Sequence, residues 1–493
     1  MSEELLNKIK NLFSNIKLYH IIIFLVLFIG ILLRTKHFLE FSWLWGDEIA
    51  LFENINDINI FQIFMPLQSN QSAPSLFLFF SKINLEIFRL ICKDYTIGIK
   101  IIPYLASVIS VISFYYLSKK IFTNKINIIL ANLIFCFNMH LIFFAQDFKQ
   151  YSSDVCTFIL ILLSYFYIDI EKLERKNIYL IGFLYMLSIW FSFTGIYAVA
   201  AVLIVIISQN LKRNNILKLF YLTYPFIIGL IGLYITQSYL SSNSFLHKFW
   251  GYGFISNSTQ FLFFIKTIIY YLGLPISKIS IAITILFELG IFKLILTVNK
   301  PKSQLLLIPV IFMVFASALY IYPFYERLSL YMFPLFILIT LYLFELKQKY
   351  LNYLSLLLAI PALILVLKYQ NPFTYTIYNP RNPIKYAQEN CNSETLLINN
   401  YDVYTYNLYK DIYDLKDMRI VIFSLTFKGY ASLENLPKGQ YCLINSNTES
   451  HPDTSQLSSR KCYQSKILNA IKNSKISEIY NDGKDNILIK FKK

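Results

Sequence analysis

The chain has 493 residues, of which 56% are hydrophobic and only 15% are charged. Soluble domains carry roughly 25% charged residues, so this composition excludes an ordinary soluble protein and indicates one that spans a membrane. The formal net charge is +16, but the Lys and Arg residues stand in short clusters between apolar runs. That spacing is typical of the positive-inside rule and does not indicate binding to nucleic acid.

Apolar runs of about 20 residues, the length that crosses a bilayer, recur along the first three quarters of the chain. The first run lacks a small-residue cleavage site, so it is predicted to be a retained helix and not a signal peptide. A turn between Trp190 and Gly195 separates the fifth run from the sixth. The predicted spans are 19–36, 98–118, 126–144, 152–169, 178–191, 193–208, 219–237, 279–298, 304–322, 328–346 and 351–368.

Two further apolar segments, 74–92 and 261–277, contain charged residues. In 74–92, Lys82, Glu86 and Arg89 lie near the middle, and a charge at bilayer depth costs roughly 2.5–3.5 kcal/mol. An amphipathic helix in the membrane interface avoids that cost. We therefore predict that both segments lie in the interface and do not span the bilayer.

The basic residues orient the chain. With the N-terminus in the cytoplasm, every loop that falls on the cytoplasmic side is basic, as the positive-inside rule requires. The sequence thus predicts a multi-pass protein of the cytoplasmic (plasma) membrane, with the C-terminus and a long first loop, 37–97, outside. The basic loops carry Lys119, Lys120 and Lys125; Lys172, Arg175 and Lys176; Lys212, Arg213 and Lys218; Lys300 and Lys302; and Lys347 and Lys349.

From Asn371 the composition changes to Asn, Asp, Lys and Pro mixed with short apolar stretches. These features predict a membrane domain at 1–369 and an extracytoplasmic α/β domain at 370–493. Predicted strands are 395–400, 419–425, 440–445, 476–480 and 486–491, and predicted helices are 401–410 and 462–473. Asn481, Asp482 and Gly483 form a turn typical of a hairpin between the last two strands.

Three cysteines, Cys391, Cys442 and Cys462, fall in this C-terminal domain. An oxidising exterior permits one disulfide among them, and three free thiols are the alternative. No spacing typical of metal ligands occurs in the chain.

Candidate catalytic residues begin in the first outer loop with Asp47 and Glu48. A carboxylate at the membrane surface can act as a general base toward a hydroxyl group. Alternatively, Asp47 caps a helix over Ile49 to Ile55. Pro74, further along this loop, is predicted to start the interfacial helix, which is an ordinary place for proline.

Other candidates lie in the later outer loops. Asp147, Lys149 and Tyr151 follow the third span, where an interfacial ion pair beside a belt tyrosine is the alternative interpretation. Arg327 precedes a late span and can either reach lipid phosphate or bind a substrate phosphate. His140 is more typical of a packed side chain, and His247 of the surface.

At these positions the chain resembles the GT-C superfamily of glycosyltransferases, which use lipid-phosphate-linked sugars. It looks most similar to family 39 and its bacterial relatives, including protein O-mannosyltransferases and lipid A aminoarabinose transferases. The matches are Asp47-Glu48 to the family's early Asp-Glu pair, Ser72-Ala73-Pro74 to a His-Pro-Pro-Leu-like element, Asp147-x-Lys149-x-Tyr151 to a Glu-x-Arg-x-Tyr-like element, and Arg327 with Pro334 to an Arg-Tyr-x(5)-Pro element.

The chain departs from this pattern at three positions. Ser72 replaces the histidine, Lys149 replaces the arginine, and Leu328 replaces the tyrosine after Arg327. The two cations of the pattern are nevertheless kept, as Lys149 and Arg327.

The resemblance implies a polyprenyl-phosphate-linked sugar donor, undecaprenyl phosphate in a bacterium, and an acceptor lipid, glycan or protein. It implies that Asp47 is the base, with Glu48 positioning it or the sugar. Lys149 and Arg327 would bind the donor phosphate, supported by Asp147, Tyr151 and Pro74. No cofactor is required, and a divalent cation is an option in some relatives. The competing interpretations are a transporter of lipid-linked glycans, a glycan polymerase or ligase, and a non-catalytic scaffold.

Overall fold

In the computed structural model, the described residues are 18–40, 44, 46–56, 58–64, 67–68, 71–92, 94–211, 215–241, 248–255, 278–345, 381–391, 395–399, 403–412, 419–423, 433–445, 471, 474–481 and 487–493. The helices among them are α1 (Leu18–Glu40), α2 (Gly46–Asn56), α3 (Ser75–Ile91), α4 (Ile97–Ile121), α5 (Lys125–Phe137), α6 (Met139–Phe143), α7 (Tyr151–Ser164), α8 (Arg175–Phe191), α9 (Gly195–Asn210), α10 (Ile216–Ser241), α11 (Lys278–Leu296), α12 (Pro301–Ala318), α13 (Phe333–Tyr342), α14 (Arg381–Asn390) and α15 (Val403–Ile412).

Four of these described helices, α1, α4, α10 and α12, are long and apolar enough to cross a membrane. The shorter apolar helices include α5, α7 and α9. The predicted turn between Trp190 and Gly195 is confirmed, because α8 ends at Phe191 and α9 begins at Gly195. The predicted spans through 322 therefore correspond to helices, whereas the predicted span 351–368 and the predicted interfacial segment 261–277 lie outside the described residues.

Two predicted spans are divided. Asn138 separates α5 from α6, because its backbone is extended and its side chain accepts a hydrogen bond from Leu141 N at 3.0 Å. Asparagine favours this capping geometry over a helix interior. The predicted span 328–346 begins instead as a 3₁₀ helix, Glu326–Met332, and continues as α13.

The chain divides into two compact units. The first comprises Met1–Glu40, Asn59–Ser81 and Lys100–Thr374, and the second comprises Phe41–Ile58, Lys82–Ile99 and Tyr375–Lys493. The second unit thus contains part of the first outer loop as well as the C-terminal residues. The predicted domain boundary at 369/370 lies outside the described residues and stays a prediction.

In the first unit, a buried arginine lies between α1, α4 and α5. Arg34 is fully buried, and its Nε donates to Ser107 Oγ at 2.9 Å while Nη1 donates to Cys136 O at 2.9 Å. Nη1 also donates to Gly30 O at 2.8 Å. A buried charge is tolerated only when its hydrogen-bonding groups are satisfied in this way, so Arg34 fastens three helices together.

The second unit contains a five-stranded mixed sheet of order β2-β1-β3-β5-β4. β1 pairs in parallel with β2 and β3, and β5 pairs antiparallel with β3 and β4. Each of the five predicted strands overlaps an observed one, and most of the predicted helix 462–473 lies outside the described residues. The strands are β1 (Thr395–Asn399), β2 (Ile420–Phe423), β3 (Gln440–Asn445), β4 (Lys475–Asn481) and β5 (Ile487–Lys492).

A disulfide joins Cys391, which follows α14, to Cys442 in β3. The sequence left two alternatives, one disulfide or three free thiols, and the structure contains the disulfide Cys391–Cys442. Because disulfides persist in oxidising compartments, the bond agrees with an extracytoplasmic position for this unit. Cys462 lies outside the described residues.

We expect Gly30→Ala to lower the thermal stability of the purified protein. A Cβ at Gly30 would lie 2.7 Å from the Cβ of Cys136, and overpacking of this kind costs about 1–3 kcal/mol. The matched control is Gly251→Ala, because a Cβ there meets nothing within 4 Å. Thermal unfolding in detergent measures both variants, and equal melting temperatures would contradict the close approach of α1 and α5.

We expect Cys442→Ser to make the C-terminal domain more sensitive to protease. The lost bond links residues 51 positions apart, and removal of such a disulfide costs about 2–4 kcal/mol. Cys92→Ser removes a free thiol and serves as the control. Mass spectrometry of a non-reduced digest should join the Cys391 and Cys442 peptides, and alkylation of Cys391 in the native protein would refute the bond.

Candidate functional site

The second outer loop, between α6 and α7, is a compact buried turn. The backbone N–H of Lys149 donates to Asp147 O at 2.7 Å. Ser152 Oγ donates to Phe144 O at 2.7 Å and closes the turn against the start of α7. Asp147 is 1% exposed and Lys149 is 6% exposed. The polar side chains of this loop therefore lie within the packed first unit.

Lys149 connects this loop to the segment that contains Pro74. Its ammonium Nζ donates to Gln71 Oε1 at 2.7 Å. Pro74 is buried and immediately precedes α3, as predicted. The rings of Phe77 and Phe148 are stacked with centroids 5.8 Å apart. The second and third motif segments are thus in contact.

Arg327 lies beside the first residue of α7. Its guanidinium carbon is 5.9 Å from the ring centroid of Tyr151 and 5.7 Å from that of Trp250. Cation–π contacts of this kind are worth about 0.5–1 kcal/mol at exposed sites and more when desolvated. The 3₁₀ helix of Arg327 is held against α7 by Tyr331, whose ring centroid is 5.3 Å from that of Phe158.

The third outer loop positions Trp250 at this point. Phe324 N donates to Gly253 O at 2.8 Å, which joins the loop to the segment before Arg327. A Cβ at Gly253 would lie 3.0 Å from the Cβ of Tyr325, so a larger residue would push the two segments apart. Trp250 was not among the candidates predicted from the sequence. The signal available was a Trp-Gly-Tyr-Gly sequence in a loop between membrane helices.

Arg327 therefore lies against Tyr151, two residues after Lys149, in the first unit. Two basic side chains lie on elements that meet at the start of α7, Lys149 in the loop before it and Arg327 in the 3₁₀ helix that packs on it. Guanidinium and ammonium groups are the side chains that bind phosphate best, the first with two parallel hydrogen bonds and the second as a point charge. This arrangement is suited to a phosphate group.

Asp47 and Glu48 belong to the second unit. Both lie in the first turn of α2, where the helix dipole stabilises a carboxylate. The helix begins at Gly46, so Asp47 lies inside the first turn and not in the capping position before it. Asp47 is half-buried and Glu48 is fully buried, so Asp47 is the more accessible carboxylate. Their predicted meeting with Lys149 and Arg327 stays a prediction.

The C-terminal end of α2 is held by charged side chains of α3. Lys82 Nζ donates to Asn56 O at 2.8 Å, and Arg89 Nη2 donates to Asn56 Oδ1. Lys82 also forms an ion pair with Glu86 at 2.6 Å. The hydrogen bond from Lys82, with a smaller contribution from Arg89, lowers the pKa of Glu86 below its usual value. The charged side chains of α3 thus form hydrogen bonds and ion pairs with one another and with Asn56.

One buried carboxylate was missed because it lies inside a predicted span. Asp154, in the first turn of α7, is 2% exposed and accepts a hydrogen bond from Ser192 Oγ at 2.6 Å. The Ser192 hydroxyl also lies 3.1 Å from Thr194 Oγ1 and accepts from Gly195 N at 3.2 Å. Asp154 thereby fastens the turn between α8 and α9 to α7.

An apolar groove of about 920 Å³ runs along α7. It is lined by residues of α3, α4, α7 and α8, and its lining on α7 extends from Cys156 to Ser164, about 12 Å of helix. Phe191 belongs to the lining and packs on Phe77, 6.4 Å between centroids. Because Phe77 also stacks on Phe148, one end of the groove lies close to the second outer loop.

Metal ligands were sought among the described residues. In that part of the chain, no three His, Cys, Asp or Glu side chains are grouped so that they could hold a metal ion. His140 is buried in α6, and His247 lies outside the described residues.

Comparisons with known proteins give structural matches only. No protein-family model and no curated protein matches the sequence. ArnT from Cupriavidus metallidurans, bound to undecaprenyl phosphate, matches with a TM-score of 0.47 and 10% identity over 96% of this chain and 97% of that one. The Archaeoglobus fulgidus oligosaccharyltransferase in the apo form matches with a TM-score of 0.44 and 12% identity over 83% of this chain and 65% of that one. Its complex with Zn and sulfate gives 0.46 and 11%, over 93% and 72%.

The TM-scores are below 0.5 and the identities are at most 12%. Matches of this strength assign no activity, ligand or residue role to this chain. The function is therefore argued from its own residues.

Proposed function

We propose that the protein is a membrane glycosyltransferase that moves a sugar from a polyprenyl-phosphate donor to an acceptor hydroxyl on the outer face of the membrane. The observation that supports this proposal is the position of two basic side chains near one end of an apolar groove: Lys149 in the loop before α7, and Arg327 over Tyr151, the first residue of α7. A polyprenyl phosphate has the same two parts, an anion attached to a long apolar chain.

The proposed position of the donor follows from the groove and the two cations. Its apolar chain would lie in the groove, where Leu105, Leu160 and Leu184 are each 42–53% exposed in the absence of a ligand. Burying an apolar chain contributes about 0.8 kcal/mol for each CH₂ group. Tyr151 precedes Cys156 by five residues, about 8 Å along α7, so the phosphate would reach the cations while the chain remains in the groove.

The proposed reaction is an inverting displacement at the anomeric carbon. Asp47 takes the proton of the acceptor hydroxyl, and the oxygen forms a bond to the anomeric carbon. The bond from that carbon to the phosphate oxygen breaks, and its electron pair leaves with the phosphate. Lys149 and Arg327 would stabilise the charge that develops there, which is typically worth several kcal/mol in a preorganised site. Glu48, which is buried, would position Asp47.

The proposal is tested by transfer of radiolabelled sugar from undecaprenyl phosphate to acceptors of native cell envelopes by the reconstituted protein. We expect Asp47→Asn to lower transfer by about 10²–10⁴-fold, the usual contribution of general base catalysis, with normal membrane insertion. Arg327→Ala should raise the donor KM more than the acceptor KM. Near-normal transfer by Asp47→Asn, or equal effects of Arg327→Ala on the two substrates, would refute the assigned roles.

The same assay separates the competing functions. A transporter would move labelled donor across the vesicle membrane without transferring its sugar, and a scaffold would bind it without either effect. A polymerase or ligase would require a pyrophosphate-linked glycan and leave the monophosphate donor unused. Each of these results would replace the proposed activity.

We also expect Gln71→Glu to weaken donor use. The new carboxylate would keep the hydrogen bond from Lys149 but neutralise its charge, so less positive potential would remain for the phosphate. The matched control is Gln62→Glu in the same loop, because Gln62 Oε1 accepts one hydrogen bond, from Asn59 N at 2.8 Å, and the residue is exposed.

The donor KM should rise about tenfold in Gln71→Glu and remain unchanged in Gln62→Glu, a difference of about 1.4 kcal/mol in binding free energy. Binding of undecaprenyl phosphate alone gives an independent measurement. Equal donor affinity in the two variants would exclude Lys149 from the phosphate site.

A further inference from the structure

We propose that the C-terminal domain positions the catalytic loop, and that Tyr409 is the residue through which it does so. This inference rests on the proposed role of Asp47 as the base. It assigns a function to a domain in which the sequence shows no catalytic motif. Tyr409 would act through the backbone that carries Asp47 and would not touch the substrate.

The contact is a single buried hydrogen bond. The backbone N–H of Leu44 donates to the hydroxyl oxygen of Tyr409 at 2.8 Å, and both residues are 0% exposed. Leu44 precedes the first residue of α2 by two positions and Asp47 by three. A buried N–H that loses its acceptor bears the full penalty of desolvation. The hydroxyl therefore fixes the backbone at the entrance to α2.

Apolar packing extends this contact along both helices. α15 packs on α2, and Tyr406 and Tyr409, three residues apart, share one face of α15 and are buried. On α2, Ile49 and Phe52 have the same spacing and are also buried. The first-loop helix thus contributes to the core of the second unit, and its position depends on that of α15.

The sheet in turn positions α15. This helix follows β1 after a short connection and packs on it, and β1 is a central strand with parallel partners on both sides. At its other end, α2 is held through Asn56 by Lys82 and Arg89. Both ends of α2 are therefore fixed by interactions within one unit.

The position of Asp47 therefore depends on the contacts of α2 within the second unit. A misplacement of about 1 Å at a reacting group can lower the rate about 10²-fold. Asp47 lies one residue inside a helix whose entrance depends on one tyrosine hydroxyl. Loss of that hydroxyl should lower the rate of the chemical step while donor binding, which rests on Lys149 and Arg327, is retained.

The test compares Tyr409→Phe with Tyr441→Phe in the full-length protein. The control also loses one tyrosine hydrogen bond of 2.8 Å, from Tyr441 OH to Pro437 O, within the same domain. We expect Tyr409→Phe to lower kcat about 10–100-fold with an unchanged donor KM. Hydrogen exchange should become about tenfold faster at Leu44 and in α2, whereas Tyr441→Phe should change neither quantity.

Three results would overturn the inference. The first is the same kcat and the same exchange in the two variants. The second is rapid hydrogen exchange of the Leu44 N–H in the wild-type protein. This measurement does not depend on whether a variant folds. The third is a rise in donor KM equal to the fall in kcat. Near-normal transfer by Asp47→Asn is a separate result that would remove the proposed function itself, so the two failures are distinguishable.

Discussion

The buried ammonium of Lys149 is the interaction on which the arrangement of the first unit depends. A charged group leaves water at a cost of several kcal/mol unless it gains good partners, and Gln71 provides one at 2.7 Å. Satisfying Lys149 draws the segment before Pro74 onto the second outer loop, and that loop leads directly into α7. Arg327 then lies over Tyr151 at the start of the same helix. The segment before Pro74 and the helix of Arg327 thus contact consecutive parts of the chain, the loop before α7 and the first residue of α7.

The parts of the fold that the sequence predicts are those governed by local hydrogen bonding. A long apolar run satisfies its backbone only as a helix, so helices such as α4 and α10 follow from composition. The short apolar stretches of β3 and β5, separated by polar residues, likewise predict strands. The division at Asn138 cannot be predicted from hydropathy, because the mean hydropathy of a long apolar run changes little with one polar residue. The structure shows the division because the Asn138 side chain accepts a hydrogen bond from Leu141 N.

The contacts of the site were less accessible to sequence reasoning. Lys149 and Arg327 are conspicuous as cations at the ends of apolar runs, and both were predicted. Gln71 and Trp250 are not, because their importance comes from partners 78 and 77 residues away. Asp154 was overlooked for a different reason: one carboxylate does not remove a segment from a hydropathy window, and only the packing of the α8–α9 turn reveals its partner Ser192.

The two units divide the requirements of the proposed reaction. Lys149 and Arg327, the cations proposed to bind phosphate, belong to the first unit, where they contact Gln71, Tyr151 and Trp250. The carboxylates belong to the second unit, where α2 shares a core with residues more than 350 positions later in the chain. The sequence predicts the first outer loop, 37–97, as one segment, but its residues divide between the two units. The packing of α2 with the C-terminal residues therefore could not be predicted from the sequence. Since each group of side chains is held by its own packing, damage to one unit should impair donor binding and damage to the other the chemical step. The C-terminal domain therefore packs against the helix that carries Asp47 and Glu48.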